Sequence, residues 1–171
     1  EINGMGPDIT GTNVELLFEQ LNELKAGDIL VLSGSIPSSI RSSIYKEIME
    51  RLQGRGIQIV VDAEKALLME VLPLHPFLIK PNNHELEAML GRTLSTKEEV
   101  LEGAKELQSS GARNVLVSMA GDGAVLLTED GAVYREGVCR GTVVNSVGAG
   151  DSMVAGFLAG YLKTGDYGYA L

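Results

Sequence analysis

Gly148-Ala149-Gly150-Asp151 places a carboxylate directly behind a turn of small residues. Glycines at 148 and 150 permit backbone angles that other residues resist. Successive amide N–H groups then converge at the positive end of the following helix, an arrangement that suits phosphate-like anions. Asp151, in the first helical turn, is positioned to take a proton from a hydroxyl while those amides hold charge developing on a phosphoryl group. A plainer reading competes. Aspartate near a helix start caps free N–H groups and complements the dipole, and spacing alone favours that structural role. Two phosphate motifs are excluded. The dinucleotide fingerprint needs a small residue at 153, which is Met153, and the chain has no Gly-Lys pair for a Walker loop.

The elements around this turn follow from hydrophobic periodicity. Residues 143–147 read as a short extended run. Beyond the turn, Met153, Val154, Phe157, Leu158, Tyr161 and Leu162 recur at helical spacing and predict one buried stripe. Ala155, Gly156, Ala159 and Gly160 are small enough for close approach by neighbours. Each interior glycine costs a helix roughly 1 kcal/mol against alanine, so a packing demand is expected there. Upstream, a glycine-rich opening (residues 1–12) leads to a helix over 12–24, with Thr12 and Glu15 as a capping box and Gly27 as the stop. Apolar runs at 28–33, 57–62, 77–80 and 114–118 predict buried parallel strands. Helical patterns at 40–53, 63–72, 85–90 and 96–109 alternate with them, and 124–128 with 132–135 predicts a hairpin across Asp130-Gly131.

Three polar loops follow strands, where open α/β sheets bind ligands. Ser33-Gly34-Ser35-Ile36-Pro37 follows the first strand and could touch substrate, but the residues alone slightly favour a plain strand-to-helix connection. Asn82 and Glu85 follow the third. Their spacing is that of a capping box, which spacing alone favours; the functional alternative sets Asn82 near phosphates and Glu85 near magnesium through water. Ser118 to Gly123 follows the fourth strand, as a nucleotide-phosphate loop or as a tight connection. His75 and His84 lack the spacing of a metal site, and Cys139 reads as a small apolar residue.

Composition sets outer bounds. With 171 residues, 44% of them hydrophobic, the chain is expected to form a single α/β domain over 1–171. A net charge of −9 argues against a nucleic-acid or anionic-membrane surface, so a phosphorylated ligand must be held by local donors. One cysteine excludes an internal disulfide and fits a reducing compartment. With no leader or apolar run of membrane length, a soluble, cytoplasmic protein is expected. Opening on Glu1 and closing at Leu171 soon after the glycine-turn helix, the sequence reads as a portion of a longer chain.

Taken together, the strand-end motifs have a recognisable order. The Gly-Ala-Gly-Asp helix at 148–160, the Asn-x-x-Glu at Asn82 to Glu85 and the loop at 118–124 resemble the ribokinase-like sugar kinases, the carbohydrate kinase PfkB family. Residues 33–37, 78–86 and 143–157 resemble its bacterial 1-phosphofructokinase branch, with tagatose-6-phosphate kinase as near sibling. The resemblance implies a three-layer α/β/α sandwich on a mostly parallel sheet, incomplete here. It implies ATP with Mg2+ as phosphoryl donor and a phosphorylated ketohexose, fructose 1-phosphate first, as acceptor. Asp151 becomes the base at the acceptor hydroxyl, with Gly148, Ala149 and Gly150 as the anion hole. Asn82 and Glu85 place magnesium and phosphate. Ser118, Gly121, Asp122 and Gly123 line the nucleotide, and Lys80 and Gly34 lie near the site. Family members carry an N-terminal sugar-binding part and a β lid that mediates homodimers, and a final segment that closes over adenine. Neither matches residues here, so the resemblance implies missing strands at one sheet edge and weak activity for these residues alone. A nucleotide-binding module without catalysis is the competing class.

Overall fold

The computed structural model describes residues 8–139 and 141–171; Gly4, Gly6 and Pro7 of the expected opening loop lie outside them. Six strands form one sheet in chain order: β1 (Ile29–Ser33), β2 (Gln58–Asp62), β3 (Leu78–Ile79), β4 (Asn114–Ser118), β5 (Ala124–Leu127) and β6 (Val133–Glu136). β1 to β4 are parallel, and β5 and β6 add an antiparallel hairpin. Helices α1 (Gly11–Leu21), α2 (Ile44–Leu52), α3 (Lys65–Val71), α4 (Asn83–Leu90) and α5 (Lys97–Ser109) precede β4. α6 (Ala149–Thr164) and α7 (Tyr167–Ala170) follow β6.

Strand order fixes the layers. Right-handed crossovers between parallel strands laid down in sequence carry every connecting helix to the same face. Leu32, Val61, Ile79, Val115 and Val117 accordingly pack with residues of α2 to α5 on one face. The alternate residues Val60, Leu78, Leu116 and Leu126 point the other way, where Val154 and Phe157 of α6 and Ala170 of α7 cover them. The result is the expected α/β/α layering. Among the described residues β1 pairs only with β2 and forms one sheet edge, where Val31 is 41% exposed.

Local chemistry moved several boundaries. α1 starts at Gly11 rather than Thr12, because Thr10 makes the capping box with Asn13: Thr10 Oγ1 accepts from the Asn13 amide at 3.4 Å and Asn13 Oδ1 from the Thr10 amide at 3.1 Å. Asn reciprocates where Glu15 was expected to. α2 starts four residues later than Ile40, since the amides of Ile40 and Ile44 close separate turns onto the carbonyls of Pro37 and Arg41. The run at 143–147 forms no strand: Val143, Val144 and Val147 are 80%, 95% and 74% exposed and pair with nothing described. In α6 the stripe ends at Tyr161, and Leu162 is exposed. Gly160 serves the close approach, since a Cβ there would lie 2.8 Å from Ala170 Cα, whereas Gly156 has open space beside it. No described helix is long and apolar enough to cross a membrane.

The capping box at Thr96 and Glu99 forms as spacing predicts, with both side-chain-to-amide bonds at 3.1 Å. Thr96→Ala should therefore lower stability by about 1 kcal/mol in urea denaturation. An unchanged midpoint would show that α5 does not depend on its cap.

Candidate active site

The parallel strands end together, with Ser33 of β1 in register with Asp62 of β2. Lys80 leaves β3 at the same edge, and the Ser118 amide at the end of β4 bonds the Pro81 carbonyl at 3.1 Å. The start of α6 is laid onto this edge. A Cβ on Gly150 would stand 3.1 Å from Lys80 Nζ and 3.9 Å from Asp62 Oδ2, so only glycine lets the helix settle there undisturbed. Beneath it Lys80 Nζ pairs with Asp62 Oδ1 at 3.2 Å, with side chains 7% and 17% exposed. Burial pushes the Asp62 carboxyl above its usual range; Lys80 pulls it back, while Glu85 and Asp151 push it further up. Folding thus favours the protonated acid. The stability Asp62 contributes is complete below the ordinary aspartate value and is lost as pH rises through the raised one.

Gly148 caps α6 with φ 77°, a left-handed conformation that suits glycine. The anion-binding arrangement differs from expectation in one member. The Ala149 amide is engaged by the Ser146 carbonyl at 3.1 Å, whereas no described acceptor in the protein reaches the amides of Gly148, Gly150 and Asp151. Those three are the free donors of the helix start. Asp151 is exposed, not turned into the interior, and its Oδ1 accepts a hydrogen bond from Ser33 Oγ at 3.3 Å.

Cavities open on both sides of this helix start. A cleft of about 1040 Å³ is walled by Asn82, Ser118, Ala120, Gly123, the 136–139 segment, Ala149, Gly150 and the Met153–Phe157 face of α6. Opposite lies a pocket of about 260 Å³, lined by Ser33, Gly34, Ser35, Asp62, Glu64, Glu85 and Asp151. The cleft is large and mostly apolar, while the pocket is small and carries four carboxylates. The α6 start belongs to both walls.

Most residues singled out from sequence converge here. Asn82 and Glu85 form the capping box of α4, with the Asn82 amide donating to Glu85 Oε2 at 2.8 Å and the Glu85 amide to Asn82 Oδ1 at 2.9 Å. Asn82 also lines the large cleft and Glu85 the small pocket, so the cap leaves both residues at cavity walls. Gly34 lines the pocket with φ 89°. Ser118 and Gly123 line the cleft, and a Cβ on Gly123 would stand 1.9 Å from the Glu136 carbonyl oxygen. Gly121 and Asp122 do not: they lie in a 3₁₀ turn (Ala120–Asp122) whose outer side meets Lys97, which donates to the Asp122 carbonyl at 3.1 Å. Lys80 lies under the helix start rather than on the cleft wall. Sequence reasoning missed the Asp62 pairing and the Ser33 bond. Asp62 at the sheet edge was the available signal, but no spacing connects it to Lys80. Among the described residues no group of three His, Cys, Asp or Glu could hold a metal.

Similarity to known proteins agrees with this fold. Residues 1–171 match the model of the pfkB family carbohydrate kinases, and the chain belongs to that family. It is 47% identical over 163 residues to 1-phosphofructokinase of Bacillus subtilis, covering 95% of this chain and 54% of the relative. It is 32% identical to D-tagatose-1-phosphate kinase of Bacillus licheniformis over 92% of this chain and 52% of the relative. A crystal structure of Escherichia coli phosphofructokinase-2 with substrates and products superimposes with a TM-score of 0.87 at 29% identity, covering 94% of this chain and 53% of that one. The fold is thus ribokinase-like. The chain spans about half the length of the curated relatives it matches.

The buried pair yields a stability prediction. Lys80→Met strands the Asp62 carboxylate without its cation and should cost about 3 kcal/mol. Lys80→Met with Asp62→Leu, which removes both charges, should recover most of that in chemical denaturation. A single variant as stable as the parent would show that the pair does not hold this edge together.

Proposed function

We propose that this chain carries the phosphoryl-transfer centre of an ATP-dependent sugar-phosphate kinase. The carrying observation is the α6 start, whose amides at Gly148, Gly150 and Asp151 are free, and which sets Gly150 on the wall of the large cleft and Asp151 on that of the small pocket. ATP occupies the cleft, with its base toward the apolar face of α6 and its phosphates toward Asn82, Ser118 and Gly123. The acceptor hydroxyl enters the pocket and attacks the γ-phosphorus. Its proton passes to Asp151, the bond to the β-phosphate oxygen breaks, and ADP leaves. The free amides hold charge on the phosphoryl oxygens, with the Lys80 ammonium below them.

Magnesium fits as a largely hydrated ion. One carboxylate, Glu85, and Asn82 stand between the two cavities, and magnesium typically takes one or two carboxylates plus phosphates and water. Bound there, it supplies charge neutralisation to the phosphates.

The pocket's charge favours one orientation of the acceptor. Four carboxylates repel a phosphate, so the neutral end of the sugar faces Asp151 and the phosphate points away. A ketohexose 1-phosphate phosphorylated at C6 meets that demand. Both curated relatives are named for such sugars, fructose 1-phosphate and tagatose 1-phosphate, which favours these over tagatose 6-phosphate. The preferred reaction is fructose 1-phosphate to fructose 1,6-bisphosphate.

The test is an ATP-coupled assay of the whole protein that carries these residues, against fructose 1-phosphate, tagatose 1-phosphate, tagatose 6-phosphate and fructose 6-phosphate. Fructose 1-phosphate should give the highest kcat/KM, and Asp151→Asn should lower kcat about 10³-fold with ATP affinity little changed. Preference for a 6-phosphate would overturn the acceptor. ATP binding without turnover on any sugar would leave a nucleotide-binding module instead of a kinase.

A further inference from the structure

Ser33 and Tyr45 have no role in the mechanism above, yet they form a relay of contacts ending on its base. Tyr45, half-buried on α2, donates its hydroxyl to the Ser33 carbonyl at 2.8 Å and lies 3.3 Å from the Gly34 carbonyl. That anchors the last residue of β1 and the left-handed glycine after it. Ser33 Oγ in turn donates to Asp151 Oδ1 at 3.3 Å, across 118 residues of sequence. Among the described residues this is the one side-chain hydrogen bond that Asp151 makes. An exposed aspartate in the first turn of a helix otherwise has several staggered positions available.

We propose that Ser33 is a positioning residue for the base, and that Tyr45 holds Ser33 in place. The inference rests on the reading of Asp151 as the base. One carboxylate oxygen is occupied by the Ser33 hydroxyl, which leaves Oδ2 to take the acceptor proton. At 3.3 Å the bond is long, so its contribution is orientation more than strength. Orientation matters because misplacing a reacting group by about 1 Å can cost on the order of 10² in rate. A serine that instead bound the sugar directly would show itself in the acceptor KM.

The experiment compares Ser33→Ala, Ser33→Thr, Tyr45→Phe, Asp151→Asn and Ser33→Ala/Asp151→Asn in the whole protein, by steady-state kinetics in ATP and fructose 1-phosphate. Ser33→Ala should lower kcat about tenfold with both KM values within about twofold of the parent. Ser33→Thr, which keeps the hydroxyl, should recover most of that loss. Tyr45→Phe should lower kcat in the same direction but less. In the Asp151→Asn background, Ser33→Ala should cost nothing more, because the group it orients is no longer a base. The proposal is overturned if Ser33→Ala keeps the parent kcat, raises chiefly the acceptor KM, or costs its full tenfold in the Asp151→Asn background. Near-normal turnover by Asp151→Asn would instead overturn the base assignment itself, a separate outcome.

Discussion

The ammonium of Lys80, fixed by Asp62 directly beneath Gly150, is the contact on which this site depends. It joins three elements remote in sequence: the end of β2, the end of β3 and the start of α6. The geometry leaves no room for a side chain at 150 unless Lys80 moves. The charge arrangement requires a cation there, because Asp62, Glu85 and Asp151 would otherwise crowd one edge as uncompensated carboxylates. A buried ion pair is a poor source of net stability, since desolvation offsets its attraction. Its retention here makes sense as placement: it sets a positive charge below the point where helix amides emerge.

That placement divides the surroundings of the α6 start by polarity. On one side is a large, mostly apolar cleft that reaches Ala149 and Gly150. On the other is a small pocket lined by four carboxylates. The helix dipole and free N–H groups point at the boundary between them. The two cavities thus differ in charge as well as in size, and the Lys80 ammonium and the helix-start amides lie at their boundary.

Much of this was legible in the sequence. Continuous apolar runs predicted all four parallel strands, and the hairpin at Asp130-Gly131 followed from turn chemistry. The capping boxes at Asn82 and Thr96 formed as spacing required. Failures occurred where tertiary contact overrode local pattern. Three valines at 143, 144 and 147 carry high strand propensity, but they pair with no described strand and remain exposed. Gly121 and Asp122 match a motif by order, and the 3₁₀ turn they occupy could not be read from that order. The Lys80–Asp62 pair and the Ser33–Asp151 bond were invisible, because only the pairing of β2 with β3 and the landing of α6 beside the end of β1 bring those residues together.

The most direct measurement is an amide chemical-shift map of the ¹⁵N-labelled protein titrated with a non-hydrolysable ATP analogue and magnesium. The account predicts that the largest changes fall on the amides of Gly148, Gly150 and Asp151, with Ser118 and Gly123 next. Saturable binding that leaves 148–151 unmoved while shifting residues at the opposite end of the strands would contradict it.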